Sequence, residues 1–255
     1  MPDALDDLSF RRYARHLILD EVGEEGQAKL LAARVLIVGA GGLGSPVALY
    51  LAAAGVGHLT LIDDDVVDLT NLQRQIVHDE ASIGRPKVES AAERLARLDP
   101  RIAVEARRVR VDESNVDGLI AGHDLVVDGS DNFATRFAVH DACYRARVTL
   151  VSAAILRFEA QLSSYKAYDG KTACLRCLYP ERPPADMIPR CEEAGILGSV
   201  AGVAGTLQAT EALKELLGLG GSLAGKLLIY DALAPAFRTI NVPKDPHCKL
   251  CGPRP

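Results

Sequence analysis

The run Val35-Leu36-Ile37-Val38-Gly39-Ala40-Gly41-Gly42-Leu43-Gly44 is apolar and ends in G-x-G-x-x-G, and Asp63 closes the next apolar run. Glycines in that pattern permit a tight strand-to-helix turn and let backbone N–H groups approach a phosphate at the helix N-terminus. A carboxylate after the second strand can accept from ribose hydroxyls. The chemistry on offer is nucleotide binding, with Gly39, Gly41, Gly42 and Gly44 around the phosphates and Asp63 on the ribose. Ser45 is placed to cap the helix, and Pro46 suits its first turn.

That fingerprint would also serve a nicotinamide dehydrogenase, and glycine-rich turns occur for packing reasons as well. The next segment narrows the choice. Asn71-Leu72-Gln73-Arg74-Gln75 and Gly84-Arg85-Pro86-Lys87 set two cations and an amide beside the nucleotide. Arg74 offers phosphate oxygens a planar fork and Lys87 a point charge. Such groups stabilise a triphosphate undergoing substitution and have little use in hydride transfer.

A second constellation lies towards the C-terminus. Six cysteines include two C-x-x-C pairs, Cys174/Cys177 and Cys248/Cys251. Four thiolates suit zinc, although the pairs are much farther apart than in a zinc knuckle. Disulfides or a redox C-x-x-C are the alternatives. The first is disfavoured in a cytoplasmic chain, and the second has no need of a second pair. Cys143 reads as a small packed side chain within a helix.

The elements that must position these residues follow from the patterning. Strand-like runs at 35–38, 59–62, 102–104, 125–127 and 149–152 alternate with helical stretches at 87–98 and 132–146. That alternation predicts a doubly wound, mostly parallel sheet. Further strands, read as antiparallel, are predicted at 161–168 and 227–230, around a long helix from about 203 to 217 that stops at Gly218. The proline-rich stretch 179–198 is too long for a simple connection and reads as a functional loop.

The 255 residues suffice for a buried core, and a net charge of −5 argues against a general nucleic-acid binder. Residues 35–62 carry no Asp, Glu, Lys or Arg, but their glycines and Pro46 break them into strand, loop and helix rather than a membrane span. The N-terminus, with Asp3, Asp6, Asp7, Arg11 and Arg12, lacks a signal-peptide apolar region, so a cytoplasmic location is expected.

Ordered motifs at Arg12-Tyr13-Ala14-Arg15, the glycine loop, Asn71 to Gln75, Gly84 to Lys87, Ser130-Asp131-Asn132, Cys174-Leu175-Arg176-Cys177 and Cys248-Lys249-Leu250-Cys251 span nearly the whole chain. Through them it resembles the MoeB/ThiF/HesA group of ubiquitin-activating-type adenylyltransferases, the MoeB type in particular. The resemblance implies a Rossmann-like α/β fold with a mostly parallel sheet, added antiparallel strands and a four-cysteine zinc site. It implies one adenylation domain over 1–255: a helical arm (1–32), a nucleotide-binding core (33–155), and a part holding the crossover loop, zinc site and partner surface (156–255).

The activity it implies uses ATP and Mg2+. The C-terminal carboxylate of a small ubiquitin-like sulfur-carrier protein ending in Gly-Gly is joined to AMP with release of pyrophosphate, ahead of thiocarboxylate formation. By the same resemblance Asn71, Arg74 and Lys87 contact phosphates, while Asp131 positions magnesium, Asn132 being able to supply the neighbouring helix cap. Cys174, Cys177, Cys248 and Cys251 hold one structural Zn2+, and Arg15 enters the neighbour's site across a homodimer interface. Cys191, on the crossover loop, matches the position where some relatives use a cysteine for thioester or persulfide chemistry, on which the MoeB type does not depend. Residues 1–255 leave no room for a fused sulfurtransferase domain, so an external sulfur donor is expected. A tRNA-modifying relative with the same chemistry is the alternative, against which the acidic balance weighs. The carrier could belong to molybdenum cofactor, thiamin or another thiolation pathway.

Overall fold

The computed structural model describes residues 5–183 and 194–253. Short runs of branched and aliphatic residues form five parallel strands: β1 (Arg34–Val38), β2 (His58–Ile62), β3 (Ala103–Arg107), β4 (Leu125–Asp128) and β5 (Thr149–Leu156). Three antiparallel strands extend the sheet: β6 (Glu159–Tyr165), β7 (Lys226–Asp231) and β8 (Ala236–Asn241). The order is β3-β2-β1-β4-β5-β6-β7-β8. This is the expected α/β sheet, and the chain reverses its direction of winding between β1 and β4, where open sheets of this kind take their ligands.

Strand side chains alternate between two cores. Val35, Ile37, Leu125 and Val127 pack with α4 (Gly44–Ala53), α5 (Lys87–Leu98) and α9 (Gly198–Leu217). Leu36, Val38 and Val126 pack on the other face with α6 (Val116–Ile120) and α7 (Phe133–Ala146). In α5 the buried Val88, Ala91 and Leu95 fall at helical spacing, and the helix starts after Pro86 and stops at Asp99. Helix α9 stops where Gly218 turns left-handed at φ 70°.

The N-terminal arm is three pieces, α1 (Asp7–Arg12), α2 (Ala14–Leu17) and α3 (Gly23–Ala32). Tyr13 docks it: the ring abuts Gly55 beyond the end of α4, and its hydroxyl donates to the buried Asp99 at 3.0 Å. Arg101 binds the same carboxylate at 3.1 Å.

Some expectations are corrected. Helix α4 begins at Gly44, so Ser45 lies inside its first turn with a buried hydroxyl that has no partner among the described residues, and Leu43 occupies the cap position without a side-chain bond. Strand β3 runs to Arg107, β6 spans 159–165 with Tyr168 in a short 3₁₀ turn (Ala167–Asp169), and α9 starts earlier than expected, at Gly198. Strand β8 was not anticipated, because most of its residues are exposed and give no apolar run.

Candidate active site

The site is built on the carboxyl ends of β1, β2 and β4. Gly39 sits at φ 92° and packs on Gly129, where a Cβ would lie 3.0 Å from the Gly129 carbonyl oxygen. At Gly44 a Cβ would fall 1.8 Å from the Gly39 carbonyl oxygen, so only glycine closes this loop. The loop runs directly into α4, which points its first-turn N–H groups at the same space.

Asp63, at the end of β2, is tied to the loop: its carboxylate accepts from the Ala40 N–H at 2.8 Å and from the Asp65 N–H at 2.9 Å. Burial raises its pKa, opposed by the charge of Lys87 and by these donors. Lys87, on the first turn of α5, keeps its side chain only 8% exposed and donates to Asp65 at 2.8 Å, a carboxylate that is itself 66% exposed. Asn71 is buried on a 3₁₀ turn (Leu69–Asn71), where its oxygen accepts from the Asp68 N–H at 3.2 Å and its amide hydrogens have no partner among the described residues. Arg74 donates to the Thr70 carbonyl at 3.0 Å and lays its stem against Gly42.

Beneath β4 lies a polar knot. The fully buried Asp128 accepts from the Ser130 N–H, the Ser152 hydroxyl at 2.8 Å and the Arg136 guanidinium, which also binds the Ser130 and Ala153 carbonyls. Gln208 of α9 closes it by donating to the Asp128 and Val151 carbonyls at 2.7 and 3.0 Å. Ala201 of the same helix supports the glycine loop, 3.3 Å from a Cβ placed on Gly42. Above the knot Asp131 is exposed, and Asn132 caps α7 by accepting from the Thr135 N–H at 2.9 Å.

The fold therefore gathers Gly39, Gly41, Gly42, Gly44, Asp63, Asn71, Arg74, Lys87 and Asp131 at one end of the sheet. Two buried oxygens beside the glycines, Gln75 Oε1 and Ser130 Oγ, have no partner among the described residues. Glycine cradle, amide, cations and orphaned polar atoms together fit a nucleotide polyphosphate with a hard cation. Arg15 is exposed on α2, and its arm is anchored at the far end of α5, roughly 18 Å along the helix from Lys87. Cys191 lies outside the described residues. His78 and Asp128 carry no motif signal in the sequence, because their partners are remote in the chain, whereas Gln75 closes the Asn71-to-Gln75 run and sets its side chain beside Gly41.

At the other end of the sheet Cys174 and Cys177, around the short α8 (Leu175–Leu178), meet Cys248 and Cys251 from the turn after β8. Sulfur separations of 3.9, 3.5 and 3.4 Å, with all four within 4.8 Å of one another, suit a tetrahedron of 2.3 Å zinc–sulfur bonds, whose edges are about 3.8 Å. Burial and neighbouring sulfurs push the Cys174 thiol up, while Cys248, despite desolvation, is pulled down to about 7 by the Cys251 and Leu250 N–H groups. Helix α7 holds this turn: His140 accepts from the Leu175 N–H at 3.0 Å and Asp141 pairs with Arg176 at 2.6 Å.

Residues 13–250 match the ThiF family. The SAMP-activating enzyme E1 of Haloferax volcanii is 49% identical over 249 residues, covering 98% of this chain and 91% of that protein. The sulfur carrier protein adenylyltransferase of Thermus thermophilus is 45% identical over 247 residues, covering 96% and 91%. The probable adenylyltransferase/sulfurtransferase MoeZ of Mycobacterium tuberculosis is 46% identical, and the chain spans 95% of itself but 62% of MoeZ. Among solved structures, E. coli MccB with MccA-N7isoASN superposes with a TM-score of 0.82 at 25% identity, over 95% of this chain and 75% of that one. Its complex with AMPCPP and MccA superposes at 0.83 with 24% identity, over 98% and 76%.

Proposed function

The chain belongs to the ThiF family, and from that footing we propose that it is an adenylyltransferase that activates the C-terminal glycine carboxylate of a small ubiquitin-like sulfur carrier with ATP. The carboxylate oxygen attacks the α-phosphorus, the bond from that phosphorus to the bridging oxygen breaks, and pyrophosphate leaves. A carboxylate is a poor nucleophile, so the rate comes from holding the tail in line and neutralising charge. Gly39 to Gly44 bind the phosphates, Asp63 the ribose, and Asn71, Arg74 and Lys87 the phosphate oxygens. Asp131 would hold magnesium, which when bound would supply charge neutralisation on the triphosphate.

The observation that carries this reading is Lys87. A buried ammonium whose one hydrogen-bonded partner among the described residues is the solvated Asp65 carboxylate, with Asp63 acting on it only through space, keeps donor hydrogens that an incoming polyphosphate can take up. Cys174, Cys177, Cys248 and Cys251 would hold a structural zinc, which when bound would fasten the turn after β8 to α8. Arg15 serves the neighbouring subunit of a homodimer, a reading supported by its anchorage far from its own Lys87. A sulfur nucleophile from an external donor then attacks the acyl carbon and displaces AMP, and a cytoplasmic location fits the free thiols. No described helix is long and apolar enough to cross a membrane.

The test is ATP–pyrophosphate exchange with a panel of Gly-Gly-ended sulfur carriers. Carrier-dependent exchange is expected. Silence with every carrier, together with turnover on tRNA or binding of NADH, would overturn the reading.

A further inference from the structure

His78 is buried on the segment that follows Gln75, and both its ring nitrogens are engaged. Nε2 lies 2.9 Å from the Ala40 carbonyl oxygen in the glycine loop, and Nδ1 lies 2.9 Å from the Ser90 hydroxyl on α5. A carbonyl can only accept, so Nε2 carries the proton and Nδ1 of the neutral ring accepts from Ser90. Burial, then the charge of Lys87, hold the imidazole below its ordinary value, although the Ala40 carbonyl, Asp63 and Asp79 pull the other way.

Ala40 is thereby held at both ends, its N–H by Asp63 and its carbonyl by His78. The Ala40 carbonyl shares a rigid trans peptide plane with the Gly41 N–H, and the two point in opposite directions. Holding the oxygen into the protein therefore aims the Gly41 N–H outward from it. Ser90 stands three residues after Lys87, one turn along the same face of α5, and both are buried.

We propose, on the reading above that the glycine loop takes the phosphates of ATP, that His78 is a positioning residue: by bridging Ala40 and Ser90 it aims the Gly41 N–H and fixes the loop against the helix that carries Lys87. It touches no phosphate itself. A histidine buried for packing alone would not care which of its nitrogens a replacement preserved, whereas here the Nε2 position decides.

Two variants separate these roles. His78→Gln can put an amide N–H where Nε2 stands, and His78→Asn reaches only the Nδ1 position. Calorimetric titration of the full chain with ATP and Mg2+ is expected to give His78→Gln an affinity within about threefold of wild type. For His78→Asn a loss of roughly tenfold or more is expected, with equal urea midpoints for the two variants. In the wild type the imidazole 15N spectrum should show a neutral Nε2–H tautomer with and without ATP. Equal affinities for the two variants, unfolding of either one, or an Nδ1–H tautomer would overturn the proposal. Failure of the wild type to bind ATP would overturn the nucleotide reading instead, and the proposal with it.

Discussion

Replacing Gly44 with alanine tests the site at its tightest point. The new Cβ would sit 1.8 Å from the Gly39 carbonyl oxygen and 2.8 Å from its carbon, and both are backbone atoms that no rotamer change can move aside. Restoring even 3.0 Å requires the loop to open by about 1.2 Å. An N–H···O bond operates over about 2.7–3.2 Å, so a displacement of that size removes a phosphate contact rather than lengthening it. A hydrogen bond to a charged group contributes about 1.5–3 kcal/mol, so each lost contact weakens ATP binding roughly tenfold to 150-fold. The overpacking also costs about 1–3 kcal/mol of stability, because Gly39 is fastened to the Ile62 carbonyl at 2.8 Å and cannot retreat freely. Calorimetric titration with ATP and Mg2+, beside urea unfolding, measures both. Binding within threefold of wild type with an unchanged unfolding midpoint would refute the claim that this turn cradles phosphate.

Other perturbations follow from the same geometry. Cys248→Ser should lose stoichiometric zinc by atomic absorption and lower the melting temperature by roughly 5–10 °C, and retained zinc would sink the four-thiolate site. Burial, with the Asp99 carboxylate beside it, pushes the Tyr13 hydroxyl up to about 12. A phenol raised in the fold contributes stability that is complete below its unfolded value near 10 and is lost as pH rises through 12. Tyr13→Phe should therefore cost about 1 kcal/mol at pH 7 and lose less than wild type between pH 10 and 12, whereas a pH-independent difference in urea stability would contradict the pairing. Mixing Arg15→Ala with Lys87→Ala subunits should restore about a quarter of wild-type exchange, since half the dimers are mixed and each has one complete site. No rescue would count against action in trans. Cys191→Ala is expected to keep full ATP–pyrophosphate exchange, and its loss would give that thiol a part in adenylation.

Much of the site was legible because its residues sit at the ends of strongly patterned elements. Lys87 to Leu98 announced itself through Pro86 before it and its apolar spacing, and the structure agrees to the residue. The parallel strands were visible as apolar runs, whereas β8 was hidden because an edge strand facing solvent need not bury its residues. Ser45 misled because cap chemistry in a sequence says nothing of where the first helical turn begins, and that start is set by the approach of Gly44 to Gly39. His78 was invisible for another reason: its partners at Ala40 and Ser90 become neighbours only once β1 and α5 are packed. Asp128 follows the predicted strand 125–127 with no motif around it, and its role emerges from Arg136, Ser152 and Gln208, three separate elements.

The dependence of the polar knot on α9 has a consequence for the order in which the molecule is made. A ribosome delivers all five parallel strands and the glycine loop before Gly198 has been synthesised. Until then the Asp128 and Val151 carbonyls wait for Gln208, and nothing stands beneath Gly42 where Ala201 will lie. A nascent chain halted in that interval displays the whole nucleotide fingerprint without its support. The glycine loop and β4 therefore gain their last supports late in translation.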